Sequence, residues 1–451
     1  MKQLLFMTLA TVIGTFGVFF VSPFLGVAIY YLFAVLRPQA LWQWSLPPGI
    51  AWSQYVAIAT LLGAVLQGVG FLQPSEEEKR PRWTIGHWLT LGFAIWIGLS
   101  YLTAVSRYTA YPWLVEYSKI FLMLALGAFL IRTVKQLWIL FCMTAIVLGY
   151  IAYEMNFLYL ISGYLSIYRR GYGGLDNNGA GLMIAMGLPL CVFAWEGSER
   201  RWRWLLLVFA PLIIHAVLMS YSRGAMLSLL CSVPLMLFRS RKRLMFTAVT
   251  LALAAMVPTL AGQEIRARFF TLQEYDVDAS ANSRFGSWEA AFRMAQDRPI
   301  LGFGLRNSQL FSLEYGADIQ GRVIHSQYLQ LAADTGFVGL GFFLGTLGMM
   351  WWGTVRTRRK LRKRTDRDAR RLIAIMNGVE CSLLIFCVGA LFLSLEVFEL
   401  PYLLVLLGLQ SVAVARITVL AEAPAPTAEP RRTAPSGWEA RRPSPRPSAA
   451  V

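Results

Sequence analysis

The chain has 451 residues, of which 56% are hydrophobic and 15% charged, with a formal net charge of +17. A soluble chain of this length would hold two or three domains, and so apolar a composition excludes that class. The positive charge sits in short clusters between apolar stretches, the signature of cytoplasmic loops rather than of a nucleic-acid surface. Apolar runs of 15–23 residues recur from Leu4 to Ile417. Each is near the length needed to cross a hydrocarbon core of about 30 Å, and backbone groups in lipid must be satisfied within the segment, so the runs are helices.

Taken in chain order, Lys2 precedes an apolar stretch without a small-residue cleavage site, which reads as an uncleaved first segment. With Lys2 inside, residues 4–36 make one net crossing, although the stretch could hold two short helices meeting at Ser22-Pro23. Spans follow at 50–72, 87–105, 117–131, 137–153, 179–195, 204–221, 225–238, 244–262, 337–355, 372–394 and 401–417. Ten of the sixteen residues from Arg356 to Arg371 are Lys or Arg, which places that loop in the cytoplasm. The clusters Lys79–Arg82, Arg132–Lys135, Arg200–Arg203 and Arg239–Arg243 fall on the same side. The expectation is an all-α polytopic membrane protein of roughly twelve transmembrane helices over residues 1–421, with a large helical loop, 263–336, outside. The tail 422–451, rich in Pro, Ala and Arg, is expected to be disordered and cytoplasmic. Cys142, Cys191, Cys231, Cys381 and Cys387 lie inside apolar segments without metal-ligand spacing and read as buried small hydrophobes.

Chemistry is expected in the outside pieces, where loops are positioned by a rigid scaffold. In the loop Tyr168–Asn178, Arg169 and Arg170 accompany three glycines and a polar triplet, a combination suited to phosphate oxygens. Arg223, in Ser222-Arg223-Gly224, sits at an outer turn between two spans, where an arginine is costly unless it pairs with something. A helix is expected over 283–295, capped by Asn282 or Ser283 and ended by Asp297-Arg298-Pro299. Phe285, Trp288 and Phe292 form its apolar face, and Arg284 falls in its first turn, against the helix dipole. A residue placed against local preference can be there to hold an anion; the plain alternative for both arginines is a side chain snorkelling at the interface. His325 opens a helix of some ten residues stopped by Gly336, where the dipole would keep its imidazole neutral, the form a general base requires. A structural histidine is the plain alternative. Gly302-Phe303-Gly304 is a lone Gly-x-Gly and carries little weight. No metal-ligand cluster, Walker sequence or dinucleotide fingerprint occurs.

Three stretches together resemble a known family. They are Tyr221-Ser222-Arg223-Gly224-Ala225; Ser283-Arg284-Phe285-Gly286-Ser287-Trp288 with Asp297-Arg298-Pro299-Ile300-Leu301-Gly302-Phe303-Gly304; and His325-Ser326-Gln327-Tyr328-Leu329 with Thr335-Gly336-Phe337-Val338-Gly339-Leu340. In this order they resemble the O-antigen ligase and polymerase superfamily of bacterial envelope glycosyltransferases. Asp176-Asn177-Asn178, and Glu274 to Ala281 ahead of Arg284, resemble its exosortase-associated O-glycosylation ligase branch. Ser326 stands where many ligases have asparagine.

The resemblance implies transfer of a preassembled glycan from undecaprenyl pyrophosphate to a lipid, protein or polysaccharide acceptor, at the periplasmic face of the inner membrane and without a cofactor. Arg223 and Arg284, with Arg169 or Arg170, would hold the pyrophosphate, and His325 would be the base. A polymerase would need the same groups. A transporter of lipid-linked sugars is the rival from another class; it would place its substrate site near the midplane, often with paired repeats. The candidate polar groups here gather instead at the outer face without a visible repeat, and Lys119, His215 and Glu380 are the membrane-embedded exceptions.

Overall fold

The computed structural model describes residues 1–69, 80–199, 201–244, 247, 279–395 and 397–421. The expected span 244–262, the residues Asp276 and Asp278, and the tail 422–451 lie almost wholly outside them. Among the described residues the chain is helical, with one isolated β-bridge between Tyr172 and Leu175.

The helices in chain order are α1 (Lys2–Phe20), α2 (Pro23–Leu36), α3 (Pro38–Leu41), α4 (Trp52–Gly68), α5 (Ile85–Leu102), α6 (Arg107–Leu130), α7 (Val134–Ser162), α8 (Ser166–Arg170), α9 (Asn177–Ala185), α10 (Gly187–Gly197), α11 (Arg203–Met219), α12 (Arg223–Arg239), α13 (Ala279–Asp297), α14 (Gln327–Leu361), α15 (Arg367–Gly389) and α16 (Glu399–Ile417). Nine stretches among the described residues are long and apolar enough to cross a membrane, with α2–α3 and α9–α10 each counted as one. Three further helices, α4, α11 and α12, have 17 residues each. The protein is a multi-pass membrane protein. Buried share separates the centre from the rim, at 94% for α9–α10 against 22% for α1.

Starts and stops follow local chemistry. Ser106, Thr133, Asp176, Ser222 and Asp366 each cap the helix that follows by accepting a backbone N–H. Successive helices alternate in direction, so the starts of α6, α9, α12, α14 and α16 gather at one end of the bundle. The basic segments before α7, after α12 and between α14 and α15 gather at the other.

The N-terminal stretch departs from the single net crossing expected of it. Ser22 accepts from the Phe24 amide and Pro23 takes the first helical position, so α1 and α2 form a hairpin. Lys2 therefore lies at the same end as the start of α16, with the Phe6 ring 5.9 Å from that of Trp42.

α13 and the segment after it form a small second core over the bundle, built from Ala290, Ala291, Met294, Phe303, Ala317, Ile324 and Ala333. The helix is thus apolar on two sides. Its small residues face this core, while Phe285 and Phe292 are exposed. It starts at Ala279, before the expected cap, so Arg284 lies in the second turn and the dipole argument for it does not hold.

Candidate functional site

The sequence-derived residues Arg223, Arg284 and His325 lie at the end of the bundle where the helix starts gather, and the hydrogen bonds among their neighbours define how. Ser287 Oγ shares its one proton between Arg284 O at 2.8 Å in its own helix and Ile324 O at 3.3 Å, which brings the helix of Arg284 against the residue before His325. Gln327, two residues past His325, donates its backbone N–H to Ala390 O at 2.8 Å and accepts from Leu395 N at 2.5 Å. The turn after α15 is therefore bound to the start of α14. Phe392 in this turn lies 6.3 Å from the Trp288 ring, and a Cβ on Gly224 would meet Phe392 at 3.8 Å. Gly224, next to Arg223, and Trp288, one turn on from Arg284, thus flank one aromatic side chain.

Asp176 joins the cluster from α9. Asn177 Nδ2 donates to Ser220 O at 2.9 Å, fastening the polar triplet to the turn that carries Arg223. Asp176 caps α9 through Gly179 N at 2.8 Å.

His325 does not sit in the first turn of α14. The helix starts at Gln327 with Ser326 as its cap, and His325 precedes it in a left-handed turn with φ 54°. Its pKa is still lowered from the ordinary value, first by burial and then by the positive charge of Arg284; Asp176 opposes this, and Arg322 and Arg306 reinforce it. The neutral imidazole expected for a base is thus favoured, but by desolvation and neighbouring cations rather than by the helix dipole. Arg322 is spanned by both oxygens of Asp318.

Arg169 and Arg170 are exposed on α8, at the lip of this region. α8 reaches the Arg223 turn through Tyr168 and Tyr221, whose rings are 4.9 Å apart, and Arg170 stacks over Tyr164 at 5.5 Å. Neither arginine is among the groups whose charge is felt at His325. The glycine loop beside them has a packing reason. Arg37 donates to Gly173 O and pairs with Glu399 at 2.9 Å, and a Cβ on Gly173 would stand 2.3 Å from the Arg37 side chain.

The Gly-x-Gly that carried little weight in the sequence is a seam. Gly302 and Gly304 have φ 68° and 100°, and Phe303 and Gly304 donate their amides to Ala333 O and Asp334 O at 2.9 Å each. Gly336, with φ 71°, breaks the helical path inside α14. A Cβ there would lie 2.0 Å from Ile300 O. The seam locks the segment after α13 to the first turns of α14, and with it the spacing between Arg284 and His325.

Arg306 was not singled out in the sequence. It sits just past the seam, and its charge reaches His325. A left-handed arginine has no sequence signature of the kind glycine supplies, so only the structure finds it.

Among the described residues no group of three or more His, Cys, Asp or Glu is placed to hold a metal ion. The membrane-embedded residues open to a transporter reading each have a partner, with Glu380 buried in the bundle, His215 half-buried and Lys119 on the exposed surface. Glu380 pairs with Arg239 at 2.9 Å and with Arg358, Lys119 with Glu116 at 2.7 Å, and His215 contacts Asn156 at 2.5 Å.

Residues 210–344 match the O-antigen ligase family model. That stretch spans Arg223, Arg284, the seam and His325. No curated protein matches the chain. The match supports an O-antigen ligase or polymerase type of function, hence a glycosyltransferase-like enzyme with a lipid-linked glycan donor and a glycan acceptor.

Proposed function

We propose that the chain moves a preassembled glycan from undecaprenyl pyrophosphate to an acceptor at the periplasmic face of the bacterial inner membrane, without a metal ion. The observation that supports this reading is that the charge of Arg284 is felt at the half-buried His325, with Ser287 of the Arg284 helix against the Ile324 carbonyl, all within the matched stretch. Arg223 and Arg284 supply the fixed positive charge that a pyrophosphate leaving group needs, and Arg169 or Arg170 adds to it at the lip. His325 takes the proton of the acceptor hydroxyl as its oxygen attacks the anomeric carbon. The bond from that carbon to the phosphate oxygen breaks, and undecaprenyl pyrophosphate departs with the electron pair.

Within that type we propose a ligase of the exosortase-associated branch, which Asp176-Asn177-Asn178 and Glu274 to Ala281 resemble. A polymerase would use a second lipid-linked glycan as acceptor at the same groups. Glycan lengths in a deletion strain separate the two, since a lost polymerase leaves single repeat units and a lost ligase leaves long chains unattached.

The test is transfer by purified protein in the presence of EDTA. Activity is expected to survive. Arg223→Lys and Arg284→Lys, which keep charge but lose the fork, should weaken donor binding and turnover together. His325→Ala should bind donor nearly normally yet turn over roughly 10²–10⁴ times more slowly. Loss of activity in EDTA with recovery in Mg²⁺ would move the site to a carboxylate pair such as Asp276 and Asp278. Near-normal turnover by His325→Ala would remove the histidine from the chemistry.

A further inference from the structure

Arg306 is mounted in an unusual way. Its backbone is left-handed, φ 57°, in a residue type that rarely adopts this conformation. Its amide donates to Asp334 Oδ2 at 2.9 Å, and the same fully buried carboxylate accepts from Ser308 N at 3.1 Å and from Gln330 Nε2 at 2.7 Å. The following residue, Asn307, is pinned to Ser106 in both directions, at 2.9 Å and 3.2 Å. Val105 N donates to Phe303 O at 3.0 Å. The loop is thus anchored to the turn between α5 and α6 on one side and to α14 on the other. Above this mount the guanidinium lies over the Trp113 ring at 4.4 Å, an arrangement that fixes the plane of the fork. Strained non-glycine backbone held by a buried network is a device found where a side chain must be aimed. Arg306 is further placed by its influence on His325, whose pKa it helps to lower together with Arg284.

We infer that Arg306 is a further residue that binds the donor's pyrophosphate, held in position by the buried carboxylate of Asp334. The inference rests on the donor proposed above. It adds a cation from the α5–α6 side, so that the charge at the site comes from four separate elements: α8, α12, α13 and the loop after the seam.

Two substitutions separate this role from a merely structural one. Arg306→Ala and Arg306→Gly both remove the guanidinium, but the left-handed backbone suits glycine and strains alanine. The probe is undecaprenyl pyrophosphate, added to the full chain in nanodiscs of neutral phosphatidylcholine. Both variants are expected to bind it about tenfold or more weakly, the loss associated with hydrogen bonds to a charged group. The glycine variant should melt no lower than the alanine variant. Wild-type affinity in both variants overturns the inference, as does a loss confined to the less stable alanine variant. Arg284→Ala serves as the reference. If it binds weakly while both Arg306 variants bind normally, the donor reading stands and Arg306 alone is excluded. A wild-type chain that does not bind the probe overturns the donor reading, and this inference with it.

Discussion

Four non-glycine residues among those described have a left-handed backbone: Arg37, Tyr221, Arg306 and His325. Each conformation costs about 1–2 kcal/mol, and all four lie at the end of the bundle that carries the site. The sequence revealed the residue type at 325, because few histidines occur and one lies on the outer segment. It could not reveal the turn, since histidine adopts such backbone only in a minority of cases, whereas glycine takes it freely. The consequence for His325 is a neutral imidazole over a wider pH range. Its pKa is lowered by burial first and by Arg284 second. A base must be unprotonated, so turnover should hold as pH falls past the ordinary histidine value near 6.5 and decline only below it. Arg284→Gln removes one lowering charge and should move that acid limb to higher pH at saturating donor. A limb at or above 6.5 in the wild-type protein, or one unmoved by Arg284→Gln, would dissociate the profile from His325.

At the scale of elements, the arrangement of Arg284 and His325 depends on glycines in two segments more than thirty residues apart in sequence. Gly336 was legible as a helix stop, and the structure agrees. Its partner surface at 299–304 was not, because a Gly-x-Gly has no meaning until the segment it lies against is known. The start of α13 was also misplaced. Ala279 and Ala281 favour helix strongly enough to extend it beyond the expected Asn282 or Ser283 cap. Gly336→Ala places a Cβ 2.0 Å from Ile300 O on a backbone with φ 71°. It should destabilise the protein by about 2 kcal/mol or more and abolish transfer, since both the clash and the left-handed strain act on the seam. Gly341, five residues on in the same helix, has nothing within 4 Å of an added Cβ. Its alanine variant should stay within about 0.5 kcal/mol of wild type and retain transfer. Thermal melts and transfer assays of the two proteins in one detergent make the comparison. Equal behaviour would remove the seam as the element that sets the site.

For the whole molecule, hydropathy located the spans that coincide with described helices, because it depends on composition alone, while the expected span 244–262 lies almost wholly outside the described residues. The N-terminal hairpin depends on contact. Gly14, Gly26 and Gly63 let α1, α2 and α4 approach so closely that an added Cβ would stand 2.9 Å from Ile29, 2.0 Å from Thr60 and 2.2 Å from Val18 respectively. A lone lysine at position 2 is too weak a charge signal to decide the matter, and it pointed the wrong way. The hairpin puts Lys2 on the side of Asp318 and opposite Thr365, and all three are exposed. The proposed orientation makes the first two periplasmic. Single cysteines at these positions, in a chain whose five native cysteines are replaced by alanine, should therefore differ toward an impermeant maleimide in spheroplasts. Positions 2 and 318 should label from outside, and 365 only after permeabilisation. Labelling at 318 without labelling at 2 would mean that α1 and α2 do not both cross, leaving the site orientation intact. Labelling at 365 from outside, with 318 protected, would invert the bundle. A lipid-linked donor would then have to be used on the cytoplasmic side, and the periplasmic transfer reaction would have to be abandoned.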